Sequence, residues 1–302
     1  MAMTYPASDN HLSAKLDGKR SAYRKMRTPS ESVGNNFYER NMEKPWKVEI
    51  RKVDRKPVLF ISITALPLHE STVWTGFLDQ VETRLPQVKA AIIDLRENDG
   101  GDDTIGFEMA WLFYGKNFRQ VVEKQMQRVT PETQALYANM FAYQLEWNLE
   151  QHKMSEEFLR KRYTDRLAIL DSAKSKNIDG YDEKLEGEYK SYRKHSDLVK
   201  QFEHPILILT DRKCASSCES TVTAFEFHPR AEKIGENTGG YIHFGDVSPV
   251  VLPYSKVVVQ MATHYDKFFD GRFIEKTGVK PDIAVPNGND ALLVAIDYIK
   301  HH

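Results

Sequence analysis

Ser216 sits in the stretch Cys214-Ala215-Ser216-Ser217-Cys218-Glu219, shortly after the apolar run Pro205-Ile206-Leu207-Ile208-Leu209-Thr210. A second cluster, Asp94-Leu95-Arg96-Glu97-Asn98-Asp99-Gly100-Gly101, follows Ala90-Ala91-Ile92-Ile93. A serine at a turn can act as a nucleophile when a base takes its proton. Glycine N–H groups, with no side chain in the way, can approach the oxyanion that forms. Together these residue types permit acyl transfer, and a serine hydrolase is the first reading. Taken alone, Ser216 is equally suited to capping the helix that follows, because serine is favoured at N-caps.

The elements that must position these residues can be read from the patterning. Both apolar runs predict buried strands that empty into turns of small residues. Val48-Glu49-Ile50 and Val58-Leu59-Phe60-Ile61-Ser62-Ile63 predict further strands, residues 72–88 show helical spacing, and a helix is expected from Thr104 to Tyr114. A helix from Ser217 to Phe227, strands at Val250–Leu252 and Val257–Met261, and a last helix over Asp290–Ile299 complete the pattern. Strand and helix alternate, which argues for an α/β layered domain with a largely parallel core. Residues 116–203 break the alternation: they are rich in Lys, Glu, Arg and Gln and predict long amphipathic helices, a charged helical insertion suited to cap the site. The expected organisation is therefore an N-terminal segment over 1–45, an α/β core formed by 46–115 and 204–302, and the helical cap over 116–203. Upstream, His11-Leu12-Ser13-Ala14-Lys15-Leu16 alternates like a half-buried strand.

Composition bounds the function. Lys and Arg number 42 against 43 Asp and Glu, so no field of one sign points to nucleic acid or an anionic membrane. No apolar run is long enough to span a bilayer as a helix, and no basic segment followed by an apolar stretch marks a secretory leader. The cysteines, Cys214 and Cys218, flank Ser216. Four residues apart across a turn they can reach disulfide geometry, but two small buried thiols are the expected state, free cysteine being among the most buried residue types.

Four segments in this order resemble the C-terminal-processing and tricorn-type serine peptidases. They are Asp94–Gly101; Ser216-Ser217-Cys218-Glu219; Ile234-Gly235-Glu236-Asn237-Thr238-Gly239-Gly240; and Asp270-Gly271-Arg272-Phe273-Ile274-Glu275-Lys276-Thr277-Gly278-Val279-Lys280-Pro281-Asp282-Ile283. The resemblance implies a crotonase-like α/β core and a peptidase acting on peptide or protein substrates without metal or organic cofactor. It makes Ser216, three residues before the glutamate, the nucleophile, with the N–H groups of Gly101 and Ser217 as the oxyanion hole. Gly100, Gly239, Gly240, Tyr241 and His243 fall in the substrate-binding positions.

The processing-peptidase branch takes its base from a lysine in a Gly-Lys-Gly turn, and the corresponding position here is Tyr241, after Gly239-Gly240. Nor is there room for that branch's PDZ domain. The tricorn-like branch uses a histidine in an upstream Asp-x-His setting, which Asp9-Asn10-His11 matches. The resemblance thus implies His11 as general base, with His243 its strongest rival and His69 and His264 further candidates, and Glu275 as a third member orienting a group at the site. Asp94 and Arg96 are expected to brace the glycine turn by charge-assisted hydrogen bonds. Trp111, Phe225 and Phe244 suggest an apolar side-chain preference. In relatives a helical segment precedes the Asp-x-His strand, so residues 1–45 are expected to be the remnant of a longer domain, and the branch is mostly extracytoplasmic in bacteria. The alternative function is a catalytically inactive protein on the same fold that binds apolar ligands or peptides. A weaker one is an acyl-CoA enzyme, against which no CoA phosphate-binding loop is present.

Overall fold

The computed structural model describes residues 13–16, 44–69, 71–119, 121–128, 180–183 and 200–302, apart from 246, 252–253, 255–256 and 287–288, with isolated helical positions between 157 and 172. In chain order the elements are β1 (Ser13–Leu16), β2 (Trp46–Val53), β3 (Lys56–Ile63), α1 (Phe77–Arg84), β4 (Ala90–Asp94), α2 (Thr104–Tyr114), β5 (Val122–Arg128) and β6 (Gly180–Glu183). They continue with β7 (Ile206–Thr210), α3 (Ser217–Thr223), β8 (Ala231–Gly235), β9 (Phe244–Gly245), β10 (Ser248–Val251), β11 (Val257–Met261), β12 (His264–Phe268), β13 (Ile283–Ala284) and α4 (Ala291–His301). The chain divides into two compact units, one of Asn41–Val121, Leu185–Ile242 and Lys276–His302, the other of Met1–Arg40, Val122–Lys184 and His243–Glu275.

The first unit is built on a six-stranded sheet in the order β13-β8-β7-β4-β3-β2. Only the β2–β3 hairpin is antiparallel; β3–β4, β4–β7, β7–β8 and β8–β13 are parallel. This is the mixed α/β, parallel-rich architecture expected. The hairpin turns through Asp54 and Arg55, both at positive φ (45° and 69°), as the right-handed twist of paired strands prefers. One sheet face carries Val58, Phe60, Ile92, Leu207, Leu209 and Ile234, which pack with Ala291, Ala295 and Ile299 of α4. Residues of opposite parity, among them Ile61, Ile63, Ile93 and Ile208, are also fully buried, so the central strands have no solvent face. All eleven residues of α2 are buried, which suits a helix apolar on every side.

Strands β4 and β7, distant in sequence, are hydrogen-bonded neighbours, with Ala91 opposite Ile206 and Asp94 opposite Leu209. Their carboxyl ends therefore open side by side, the place where parallel sheets present binding residues. Arg96 grips Asp94 with two parallel bonds (Nε–Oδ1 2.8 Å, Nη2–Oδ2 2.7 Å) and donates through Nη1 to Asp290 at 2.7 Å. The bracing expected of this pair thus reaches the N-cap of α4.

In the second unit β1, β11 and β10 form one antiparallel sheet and β6, β5, β12 and β9 another. Residues 243–275, expected with the core, group instead with 122–184, because β12 pairs with β5 and strand pairing outweighs nearness in sequence. Most of the expected helical cap lies outside the described residues. The described part includes β5, whose Lys, Glu and Gln content masks its strand character, and β6, which carries Gly, Asp and Glu, residues that strands seldom favour. No helix among the described residues is long and apolar enough to cross a membrane.

Ile92, on β4 at the centre of the α4-facing core, is completely buried. Ile92→Ala is expected to lower the unfolding free energy by about 2–5 kcal/mol, read as a lower urea midpoint at unchanged m-value.

Candidate active site

Two turns define the site. After β4, Asn98 is completely buried and fixes the glycine turn. Its Nδ2 donates to the Ile63 carbonyl at 3.0 Å, and its Oδ1 accepts the Gly100 N–H at 2.9 Å. The Leu66 N–H donates to the Gly100 carbonyl at 3.1 Å, and the Asp102 N–H to the Leu66 carbonyl at 2.7 Å. Because the peptide is planar and trans, holding the Gly100 carbonyl toward Leu66 turns the Gly101 N–H the other way. Gly100 and Gly101 lie at φ 98° and 138°. A Cβ on Gly100 would sit 2.8 Å from the Ser217 nitrogen, and one on Gly101 would sit 1.8 Å from the Leu66 oxygen. Side chains are excluded at both positions by backbone.

After β7, the turn through Asp211–Ala215 delivers Ser216 to the N-terminus of α3. Ser216 adopts φ 56°, ψ −126°, a region that side-chain-bearing residues avoid at a cost of about 1–3 kcal/mol. The turn docks on the glycine turn: the Ala215 N–H donates to the Asn98 carbonyl at 3.1 Å, and the Ser217 hydroxyl to the Gly101 carbonyl at 2.7 Å. Among the described residues, no acceptor takes the N–H of Gly101 or of Ser217. The cysteines, expected as thiols, are joined instead in a disulfide; the turn brings their Cα atoms to 5.3 Å, inside the range the bond requires.

Glu219, which the motif marked without a role, is the residue that sequence reasoning missed. Its carboxylate is completely buried and accepts four donors. Oε1 takes the Thr238 hydroxyl at 2.5 Å and the Gly240 N–H at 2.8 Å; Oε2 takes the Tyr241 N–H at 2.6 Å and the Ser216 N–H at 3.1 Å. Burial pushes this carboxyl up, and the hydrogen bonds from Thr238, Tyr241, Gly240 and Ser216 pull it back. Thr238 in turn accepts the Val279 N–H at 2.6 Å, and the Gly239 N–H donates to the Cys214 carbonyl at 2.7 Å. Ser216, Ser217, Gly100, Gly101, Gly239, Gly240 and the half-exposed Tyr241 are therefore brought together in one unit.

His243 and Glu275 belong to the other unit, where the Glu275 carboxylate accepts the His243 N–H at 3.1 Å. The His243 ring is completely buried; Nδ1 donates to the Asp266 carbonyl at 2.8 Å and Nε2 accepts the Ile274 N–H at 3.0 Å. Both ring nitrogens are thus engaged, and burial pulls the imidazole below its ordinary value. His11 lies outside the described residues; β1 begins two positions after it. His69 is partly exposed, with Nδ1 3.2 Å from Asp102, one residue past Gly101. Trp111 and Phe225, expected to shape an apolar subsite, are core residues instead: Phe225 packs on Phe113 with ring centroids 5.4 Å apart, and Trp111 on Phe118 at 5.5 Å. Among the described residues, no cluster of three His, Cys, Asp or Glu could hold a metal ion.

Either orientation of a glutamine amide at position 219 strands at least one backbone N–H that the carboxylate now accepts. Glu219→Gln is expected to cost about 1–3 kcal/mol, measured by urea unfolding. His243 titrates lower in the fold than in the unfolded chain, so its contribution is complete above the ordinary imidazole value and is lost as pH falls. Stability should drop as pH falls through and below the ordinary imidazole value of about 6.5, and the drop should be smaller in His243→Gln; equal slopes would show that His243 does not titrate in this way.

The solved structures similar to this chain share its fold at low identity. A lipoprotein from Streptococcus agalactiae matches with TM-score 0.50 and 17% identity over 84% of this chain and 69% of its own. Mature CPAF matches with TM-score 0.53 and 16% identity over 91% of this chain and 60% of its own. A peptidase-like protein from Parabacteroides merdae matches with TM-score 0.52 and 12% identity over 97% of this chain and 78% of its own. No curated protein sequence matches the chain. The model of peptidase family S41 matches residues 58–285, which take in the glycine turn, the Ser216 turn, the Thr238–Tyr241 loop and Glu275. With that match over most of its length, the chain belongs to peptidase family S41, a family of serine-type hydrolases.

Proposed function

We propose that this protein cleaves peptide bonds through an acyl-enzyme, on a crotonase-like core, with Ser216 as nucleophile. The observation that carries this reading is the pair of N–H groups, Gly101 and Ser217, that find no acceptor among the described residues beside a serine held in strained backbone geometry. Unused donors on two turns docked by hydrogen bonds suit an oxyanion rather than a ground-state ligand.

In the proposed mechanism a histidine takes the Ser216 proton as Oγ attacks the scissile carbonyl. The Gly101 and Ser217 N–H groups receive the oxyanion, and the histidine returns the proton to the leaving amine. Water, activated by the same base, then releases the acyl group. His11 is the proposed base, supported by its Asp-x-His setting just before β1. The engagement of both His243 nitrogens argues that this residue organises its loop and takes no part in proton transfer. His69 is the second candidate for the base, favoured by the carboxylate of Asp102 on its Nδ1. Glu275 is proposed to orient a group at the site, and Gly100, Gly239, Gly240, Tyr241 and His243 to shape the substrate path. A disulfide and a lipoprotein among the structural neighbours support an extracytoplasmic setting.

Labelling by a serine-directed fluorophosphonate tests the reading. The parent should label covalently at Ser216, Ser216→Ala should not label, and His11→Ala should label at least about 100-fold more slowly, the scale of a lost general base. Loss in His69→Ala with full labelling of His11→Ala would move the base to His69. A parent that fails to label, or that labels at another serine, overturns the assignment.

A further inference from the structure

Three features of the turn after β7 converge on Ser216. Its backbone lies at φ 56°, where a residue with a Cβ is strained. Cys214 and Cys218 are disulfide-bonded, and Ser216 is the middle residue of the short ring so closed. Both cysteines are completely buried. Ties from outside hold the ring on both sides of Ser216: Asn98 through Ala215, Gly239 through Cys214, Glu219 through the Ser216 N–H, and Gly101 through the Ser217 hydroxyl. The covalent bond fastens the ring's two ends to each other on either side of the strained residue. A ring this short constrains the unfolded chain less than a long one would, because that entropic benefit grows with loop length. It also constrains the folded turn, where Ser216 lies between its two ends.

We propose that the Cys214–Cys218 disulfide is a positioning device for the nucleophile, holding Ser216 and the Ser217 N–H in reactive geometry so that the protein acts only in its oxidised form. The inference rests on the assignment of Ser216 as nucleophile. A small dithiol reverses the device. Its thiolate attacks one cysteine sulfur, and the other leaves as a thiolate that is protonated. The second thiol of the reductant then closes a cyclic disulfide and frees the first cysteine, so two electrons and two protons pass to the protein. Because the cysteines are buried, this exchange proceeds through local opening of the turn. Glu219 keeps its hold on the Thr238–Tyr241 loop, so the fold persists while Ser216 relaxes toward ordinary φ.

The test compares the oxidised parent, the parent held in dithiothreitol, the reduced parent after reoxidation, and Cys214→Ser/Cys218→Ser. Fluorophosphonate labelling, urea unfolding and hydrogen exchange of the peptide spanning the turn are read for each. Reduction and the double variant should each slow labelling at least tenfold, with faster exchange confined to the turn and only a modest drop in urea midpoint, the cooperative unfolding transition being retained. Reoxidation should restore the parent and leave the double variant slow. Should the double variant not fold, the reduced parent decides. Equal labelling of oxidised and reduced parent, or free thiols in the parent by mass after alkylation, overturns the proposal. If the oxidised parent does not label, the nucleophile assignment fails separately, and exchange decides: an unchanged rate on reduction overturns the positioning role, and a faster one sustains it.

Discussion

The Glu219 carboxylate is completely buried and satisfied by donors from three places: the Ser216 turn, the Thr238 hydroxyl and the backbone of Gly240 and Tyr241. A carboxylate in that environment is stable only if every one of those donors stays in reach, since a buried charge without partners costs several kcal/mol (~3–5 when one partner of a pair is removed). The packing of the Thr238–Tyr241 loop beside the Ser216 turn follows from this requirement. Glu219 pulls the Ser216 N–H back toward α3 and draws the Thr238–Tyr241 loop against the same turn. Thr238 passes the constraint on to Val279.

A second constraint is steric. The glycine turn and the Ser216 turn approach so closely that a Cβ on Gly100 would fall 2.6 Å from the Ala215 oxygen. Backbone meets backbone there, and the contact sets how closely the two turns approach. Asn98 ties the arrangement to the end of β3 through the Ile63 carbonyl, so the turn inherits the rigidity of the sheet. In the proposed mechanism the Gly101 and Ser217 donors stay fixed while charge develops, which is how preorganised amides lower a barrier.

The second unit shows the same economy in a different form. His243 uses both ring nitrogens to join the Asp266 carbonyl to the Ile274 N–H, and stacks on Phe273 with centroids 4.7 Å apart. A neutral imidazole is the only side chain that can donate and accept across such a gap with one rigid ring. Its backbone N–H donates to the Glu275 carboxylate, so two buried polar residues of this unit are linked by a direct hydrogen bond.

Much of this protein was legible in its sequence. The apolar runs at Ala90–Ile93 and Ile206–Thr210, the glycine pair and the Ser-x-x-Glu spacing are local features, and local features specify strands, turns and caps through short-range sterics. Their adjacency in space was implied by the family resemblance and not by any local pattern, because it depends on β4 and β7 pairing across a long excursion of the chain. The strands of 122–128 and 180–183 were hidden by charged composition, and the membership of 243–275 in a second unit depends on β12 finding β5. Tertiary structure reversed two expectations that residue type alone favoured, one by burial and one by the geometry of a turn. Trp111 and Phe225 went to the core, and two cysteines expected as thiols met across the Ser216 turn. Sequence fixes which groups are available and how the nearby backbone bends. Which of them are buried, and which donors a buried carboxylate collects, is decided only when distant segments close around it.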